Sequence, residues 1–150
     1  MSTIFKNKKV LITGHTGFKG SWLSVWLTLL GAKVTGIALH PPTEPSHFEA
    51  LNLKKIVNSI ILDIRNREDL KNLVNQAKPD YIFHLAAQSL VSKSYNDPLA
   101  TWDTNLIGTI NLLNSLTDLE HKCNIVIITS DKCYENKEWI WGYREIDQMG

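Results

Sequence analysis

The sequence predicts an α/β fold, a doubly wound parallel sheet, and two features predict it. Short apolar runs rich in β-formers alternate with helix-patterned segments through the 150 residues, the rhythm of successive right-handed βα crossovers. The first of these runs, Lys9-Val10-Leu11-Ile12-Thr13, leads straight into three glycines spaced three apart, Gly14, Gly17 and Gly20. Strand, tight turn and helix start in that order make a Rossmann-type dinucleotide site. Glycine permits positive φ and leaves no Cβ between the backbone and a pyrophosphate, and a helix N-terminus turns free N–H groups towards phosphate. Gly14, Thr16, Gly17, Phe18, Lys19 and Gly20 are accordingly the first cofactor-binding residues. A P-loop is excluded, because it reads G-x-x-x-x-G-K-[ST] and here Lys19-Gly20-Ser21 transposes the lysine and the glycine.

A helix over 21–30 follows, with Trp22, Trp26, Leu29 and Leu30 at helical spacing and the tryptophans expected to pack on the sheet. Gly31 caps it. Residues 33–39 read as a second strand, nearly all apolar as in a strand covered on both faces. Its end normally carries an acid for the ribose 2′-OH. Leu39-His40-Pro41-Pro42 has none, which leaves NAD against NADP open, and His40 is either an adenosine contact or a loop residue. A proline-stiffened loop, 41–46, precedes a short helix over 47–53. The third strand is 59–62, and Asp63-Ile64 after it reaches the adenine edge of a cofactor or caps the next helix, 66–77. The fourth strand, 81–85, runs into Ala86-Ala87-Gln88-Ser89. Small residues there let a cofactor lie against Leu85, Ala86, Ala87 and Gln88, in the crevice between first and fourth strands where the strand order reverses. A long helix over 98–116 and a fifth strand over 124–129 complete the pattern. The fifth strand delivers Ser130-Asp131-Lys132, a donor, an acid and a base, to the same edge of the sheet.

Composition narrows the function. A formal charge of +1 with no basic run gives no electrostatic reason to bind nucleic acid. No stretch reaches the roughly 20 apolar residues that span a bilayer, and residues 1–9 lack the apolar core of a secretory signal. Cys123 and Cys133 have neither C-x-x-C spacing nor a metal pattern with the histidines, so no metal is expected and reduced thiols in the cytoplasm are.

Several segments resemble one family. Thr13-Gly14-His15-Thr16-Gly17-Phe18-Lys19-Gly20-Ser21-Trp22, His84-Leu85-Ala86-Ala87-Gln88, Thr104-Asn105 with Gly108-Thr109, Thr129-Ser130-Asp131-Lys132-Cys133-Tyr134-Glu135-Asn136 and Glu138-Trp139-Ile140-Trp141-Gly142-Tyr143-Arg144-Glu145 together resemble the N-terminal part of an extended short-chain dehydrogenase/reductase, within it the CDP-glucose 4,6-dehydratases. The glycine turn and Leu85-Ala86-Ala87 are general to the superfamily; the Ser130–Asn136 run and the tryptophan-rich tail are the specific signals.

The resemblance implies a redox-neutral dehydration with NAD as a held partner. A tyrosine takes the C4 hydroxyl proton as hydride leaves C4, the 4-ketone acidifies C5, water leaves across C5–C6, and hydride returns to C6. It implies that Ser130 holds the C4 oxygen, Asp131 protonates the departing C6 hydroxyl, Lys132 is either the C5 base or a charged sugar binder, Ser89 faces substrate and Thr104 touches the cofactor. Trp139 and Trp141 stack on the cytosine, close the site or pack on further structure. It also implies a nucleotide-sugar substrate, CDP-glucose, and leaves a homodimer possible. Residues 1–150 are then expected to be an incomplete NAD(P)-binding domain, cut before its last strand or strands and without a C-terminal substrate domain. Tyr-x-x-x-Lys is missing, since neither Tyr134 nor Tyr143 has a lysine four residues on, and the chain alone is expected to be inactive. A nucleotide-sugar epimerase or reductase, and a non-catalytic nucleotide-binding remnant, are the competing readings.

Overall fold

The computed structural model describes residues 4–150, without the side chain of Asp131. Five strands make one parallel sheet: β1 Lys9–Thr13, β2 Lys33–Ala38, β3 Asn58–Ile61, β4 Tyr81–His84 and β5 Asn124–Ile127, in the order β3-β2-β1-β4-β5. The chain moves outwards from β1 to β3, crosses the sheet, and continues on the other side with β4 and β5. The order therefore reverses between β1 and β4, where Val10 lies beside Tyr81 and Thr13 beside His84.

Alternation along β1 splits the core into two layers. Val10 and Ile12 pack with Leu27, Val34, Phe48 and Leu53 on one face; Leu11 packs with Ile37, Leu70, Val74, Ile82 and Leu112 on the other. The first layer is roofed by α1 (Phe18–Leu29) and the short α2 (His47–Ala50), the second by α3 (Arg67–Ala77) and, after α4 (Val91–Asn96) and α5 (Pro98–Trp102), by α6 (Gly108–Ser115). Asn66 is the N-cap of α3, its side chain accepting from the Asp69 N–H, and Glu68 and Asp69 in the first turn suit the helix dipole. Replacing Asn66 by alanine is expected to lower stability by about 1 kcal/mol, read as a lower urea midpoint at unchanged slope.

Three expectations need correction. The helix expected over 21–30 begins at Phe18, with Gly17 at its N-cap, so Gly20 lies inside the first turn. Its tryptophans do not pack on the sheet: Trp22 is 53% and Trp26 63% exposed. The buried side is Gly20, Ser21, Ser24 and Leu27. The helix starts so close to the glycine turn that only small residues fit beneath it. Ser21 and Ser24 satisfy their hydroxyls on the His15 and Gly20 carbonyls, and the 100° step turns residues 22, 26 and 29 outwards. Trp22, Trp26 and Leu29 then line an open apolar groove with Leu23, Val25 and Leu85.

The long helix expected over 98–116 is broken. α5 (Pro98–Trp102) passes into a π-turn, Asp103–Ile107, before α6, and the Gly108 N–H bonds to the Asp103 carbonyl five residues back. A separate helix, α4 (Val91–Asn96), precedes it with no sequence expectation behind it. Gly108 explains the close packing here: a Cβ on it would lie 2.5 Å from Ile64 Cδ1. The tail folds back on itself, with Tyr134 bridging Met149 and the rings of Tyr134 and Tyr143 stacked at 5.3 Å.

Candidate dinucleotide crevice

The carboxyl ends of β1 and β4 meet at the reversal of strand order, the place where open α/β sheets bind ligands. Gly14 sits there at φ +77°, its N–H on the Ile37 carbonyl at 2.8 Å. A Cβ on Gly14 would lie 2.8 Å from the Ala86 nitrogen, so the glycine turn and loop 85–88 are in backbone contact. Gly20 is tighter still: its Cβ would come within 2.2 Å of the Gly14 carbonyl oxygen. Gly17, at ordinary negative φ, has 3.4 Å to the same oxygen. The N-cap of α1 makes no side-chain hydrogen bond and no acid occupies the first turn. Its N–H groups and positive dipole end are thereby left for an anion. A cradle without Cβ atoms, facing a helix start without a cap, fits a pyrophosphate.

The structure sorts the other expected residues by what their side chains do. Ala86 is half-buried, and Ala87 and Ser89 are exposed on the loop after β4. Lys19 is exposed in the first turn of α1, whereas Phe18 packs on the His47 ring at 5.2 Å. Thr16 is buried and donates to the Leu39 carbonyl, tying the turn to the end of β2. Asp63 does not cap α3; it grips Arg65 through both oxygens, and the Arg65 hydrogen bonds hold its carboxyl below the usual range. Ile64 is core, its carbonyl taken by Asn111. Gln88 spends its amide on Leu90 and Thr101, and Thr104 is half-buried in the π-turn. Ser130 is the N-cap of a 3₁₀ turn, Asp131–Cys133, and accepts from the Lys132 N–H at 3.0 Å. Ser130 and Lys132 are exposed; the Asp131 side chain lies outside the described residues. Trp139 packs on Tyr143 within the tail, and Trp141 is 71% exposed.

Sequence reasoning missed the polar groups beneath the crevice. Thr13 and His84, the last residues of β1 and β4, are buried and joined, and His84 is joined in turn to the half-buried Thr109. His15 is buried under the glycine turn, bonded to Ser59 at 2.7 Å and edge-on to Phe48. Gly36 makes room for it, since a Cβ there would lie 2.3 Å from the His15 ring. The available signal was the placing of polar residues at the ends of otherwise apolar strands.

Burial holds both His15 and His84 below the ordinary imidazole range. Their folded pKa values are thus lower than the unfolded value near 6.5. The stability they permit is fully present above about pH 6.5 and is lost as pH falls through the folded pKa values. The urea midpoint is expected to drop between pH 7.5 and 5.5; a flat midpoint would show that these imidazoles are not kept neutral.

Among the described residues there is no group of three or more His, Cys, Asp and Glu that could hold a metal, and no helix long and apolar enough to cross a membrane. Both cysteines are free.

Comparison with known proteins agrees with this geometry. The UDP-glucose 4-epimerase of Stenotrophomonas maltophila, solved with bound NAD and formylated UDP-arabinopyranose, superposes with a TM-score of 0.80 at 26% identity, over 96% of this chain and 43% of that one. The CDP-paratose 2-epimerase of Salmonella typhi is 31% identical over 87% of this chain and 39% of its own length. The CDP-glucose 4,6-dehydratase of Salmonella typhimurium is 51% identical over 97% of this chain. This chain spans 41% of the length of that enzyme. The family model described as GDP-mannose 4,6 dehydratase matches residues 11–140, and the chain belongs to that family.

Proposed function

We propose that this chain is the dinucleotide-binding part of a nucleotide-sugar 4,6-dehydratase that acts on CDP-glucose with NAD. The observation that carries the reading is 51% identity to a CDP-glucose 4,6-dehydratase over 97% of the chain, against 31% to the CDP-paratose 2-epimerase. When bound, NAD supplies a reversible store for one hydride. The glycine turn and the first turn of α1 take its pyrophosphate, and the Asp63 segment lies at its adenine end. Ser130 holds the C4 oxygen of the sugar, Asp131 delivers a proton to the departing C6 hydroxyl, and Lys132 removes the C5 proton or orients the ring. Ser89 faces the sugar. None of the chain's tyrosines has a lysine four residues on, so the group that takes the C4 proton is not among these residues. The chain by itself is accordingly expected to bind NAD without turnover.

The test joins the chain to the part of the Salmonella typhimurium enzyme that follows the matched segment. Supplied with NAD and CDP-glucose, the fusion is expected to yield a product one water lighter by mass spectrometry. Lys132→Met in the fusion is expected to lower kcat by about 100-fold, the size of a lost general base, with NAD affinity unchanged. A fusion that binds NAD but returns an isomer of unchanged mass would assign it to the epimerases instead.

A further inference from the structure

The buried Thr13 and His84, the half-buried Thr109 and the exposed Asn105 close into a ring of hydrogen bonds whose directions can be worked out one by one. Thr13 Oγ1 accepts from the Ala86 N–H at 3.0 Å and from the Leu85 N–H at 3.1 Å. With both lone pairs engaged, its proton is left for His84 Nδ1, 2.6 Å away. His84 is then protonated on Nε2, which donates to Thr109 Oγ1 at 2.9 Å. The Thr109 hydroxyl in turn donates to the Asn105 carbonyl at 2.7 Å. Asn105, in the π-turn, clamps the backbone of Gln88 from both sides: its Oδ1 accepts the Gln88 N–H at 2.7 Å, and its Nδ2 donates to the Gln88 carbonyl at 3.0 Å. Loop 85–88 leads from Gln88 back to the two N–H groups on Thr13.

We propose that His84 is a positioning residue: as the neutral Nε2–H tautomer it matches the bond directions that the backbone N–H and carbonyl groups of this ring impose and so holds loop 85–88 against the glycine turn, and its protonation loosens the floor of the crevice. The physical reason is a count of lone pairs. A proton on Nδ1 would point at Thr13 Oγ1, which has none left to offer. Either the hydroxyl gives up a backbone N–H or the imidazole swings away; the Leu85 N–H is also held by the Thr13 carbonyl at 3.1 Å, so the loop is released through the Ala86 N–H or through the imidazole's bond to Thr109. Among the described residues no neighbouring charge offsets this. β1 presents Thr13, α6 presents Thr109, and β5 presents Ile127, the strand partner of His84; none titrates near neutrality, and burial accounts for the lowered pKa. The π-turn has a role in the ring, since it carries both the carbonyl and the amide through which helix and loop are tied.

This inference rests on the dinucleotide reading of the crevice only for its consequence, not for the ring itself, and the experiment separates the two. Nitrogen-15 spectra of the intact chain, followed from pH 8 to pH 5, report the tautomer and titration of His84 apart from those of His15. The expected result is an Nε2–H imidazole titrating below 6.5, with the amide signals of Leu85, Ala86 and Gln88 moving on the same curve. An Nδ1–H tautomer, or loop amides indifferent to the titration, would overturn the proposal. NAD affinity is measured across the same range. It is expected to fall by up to tenfold per pH unit below the His84 pKa, and to be flat in His84→Gln, which offers an acceptor and a donor but never a charge. Affinity in the parent chain that ignores the His84 titration would overturn the positioning role. Loop amides that follow His84 in a chain that binds no NAD at any pH would uphold the ring and refute the dinucleotide reading.

Discussion

Alanine at Gly20 is expected to cost the chain both stability and dinucleotide binding, whereas alanine at Gly17 is expected to cost binding alone. The three glycines look equivalent in sequence and are not equivalent in space. A Cβ on Gly20 meets the Gly14 carbonyl oxygen at 2.2 Å and its carbon at 2.8 Å, with the His15 Cα also at 2.8 Å. All three are backbone atoms that cannot rotate away. Relief requires α1 to lift from the turn, a strain of about 3 kcal/mol by comparison with overpacked cores. Gly14 adds a second mechanism, because a side chain at φ +77° is itself unfavourable by about 1–2 kcal/mol, before its clash with Ala86. At Gly17 φ is ordinary and 3.4 Å is available, so alanine is expected to fold, but its methyl group occupies the cap of α1 at the proposed pyrophosphate site. Urea denaturation and NAD titration of Gly14→Ala, Gly17→Ala and Gly20→Ala are expected to give a stability loss in the first and third, and a binding loss in all.

Thr13→Val is expected to be the most damaging change that adds no bulk. The isosteric valine removes the one hydroxyl on which the β1–β4 junction converges. The Leu85 N–H keeps a partner in the Thr13 carbonyl at 3.1 Å, but His84 Nδ1 loses its partner in a buried site and the Ala86 N–H loses its own in a half-buried one. Two such orphans, at about 1–3 kcal/mol each, predict a loss of roughly 3 kcal/mol in ΔG of unfolding. Thr13→Ser, which keeps the oxygen and drops only a methyl, is expected to cost about 1 kcal/mol. Equal losses in the two variants would mean that packing, not the hydrogen bonds, holds the junction.

The sheet was legible because its evidence is local. Each strand is a short apolar run ended by a polar or small residue, and a parallel sheet with right-handed crossovers leaves few ways to order five of them. The glycine turn was legible because its spacing is tied to one backbone geometry. Trp22 and Trp26 misled because large apolar residues on a helix usually mark its buried side; here the closeness of α1 to the turn reserved that side for Gly20, Ser21 and Ser24. The break in the helix after Trp102 left no composition signal, since Asp103, Thr104 and Asn105 are all acceptable in a helix. Their π conformation comes from tertiary partners, Gln88 against Asn105 and Ile64 against Gly108. His84 was visible only as part of a resemblance. A histidine ending an apolar strand says nothing by itself of the hydroxyls that Thr13 and Thr109 bring from 71 residues before it and 25 after.

The central claim is that the crevice between β1 and β4 binds NAD, and calorimetric titration of the folded chain with NAD tests it most directly, with Gly17→Ala run beside it. The account predicts saturable one-to-one binding by the parent chain and at least tenfold weaker binding by Gly17→Ala, at an unchanged urea midpoint. A natively folded chain that takes up no NAD, or a Gly17→Ala variant that binds as tightly as its parent, would contradict it.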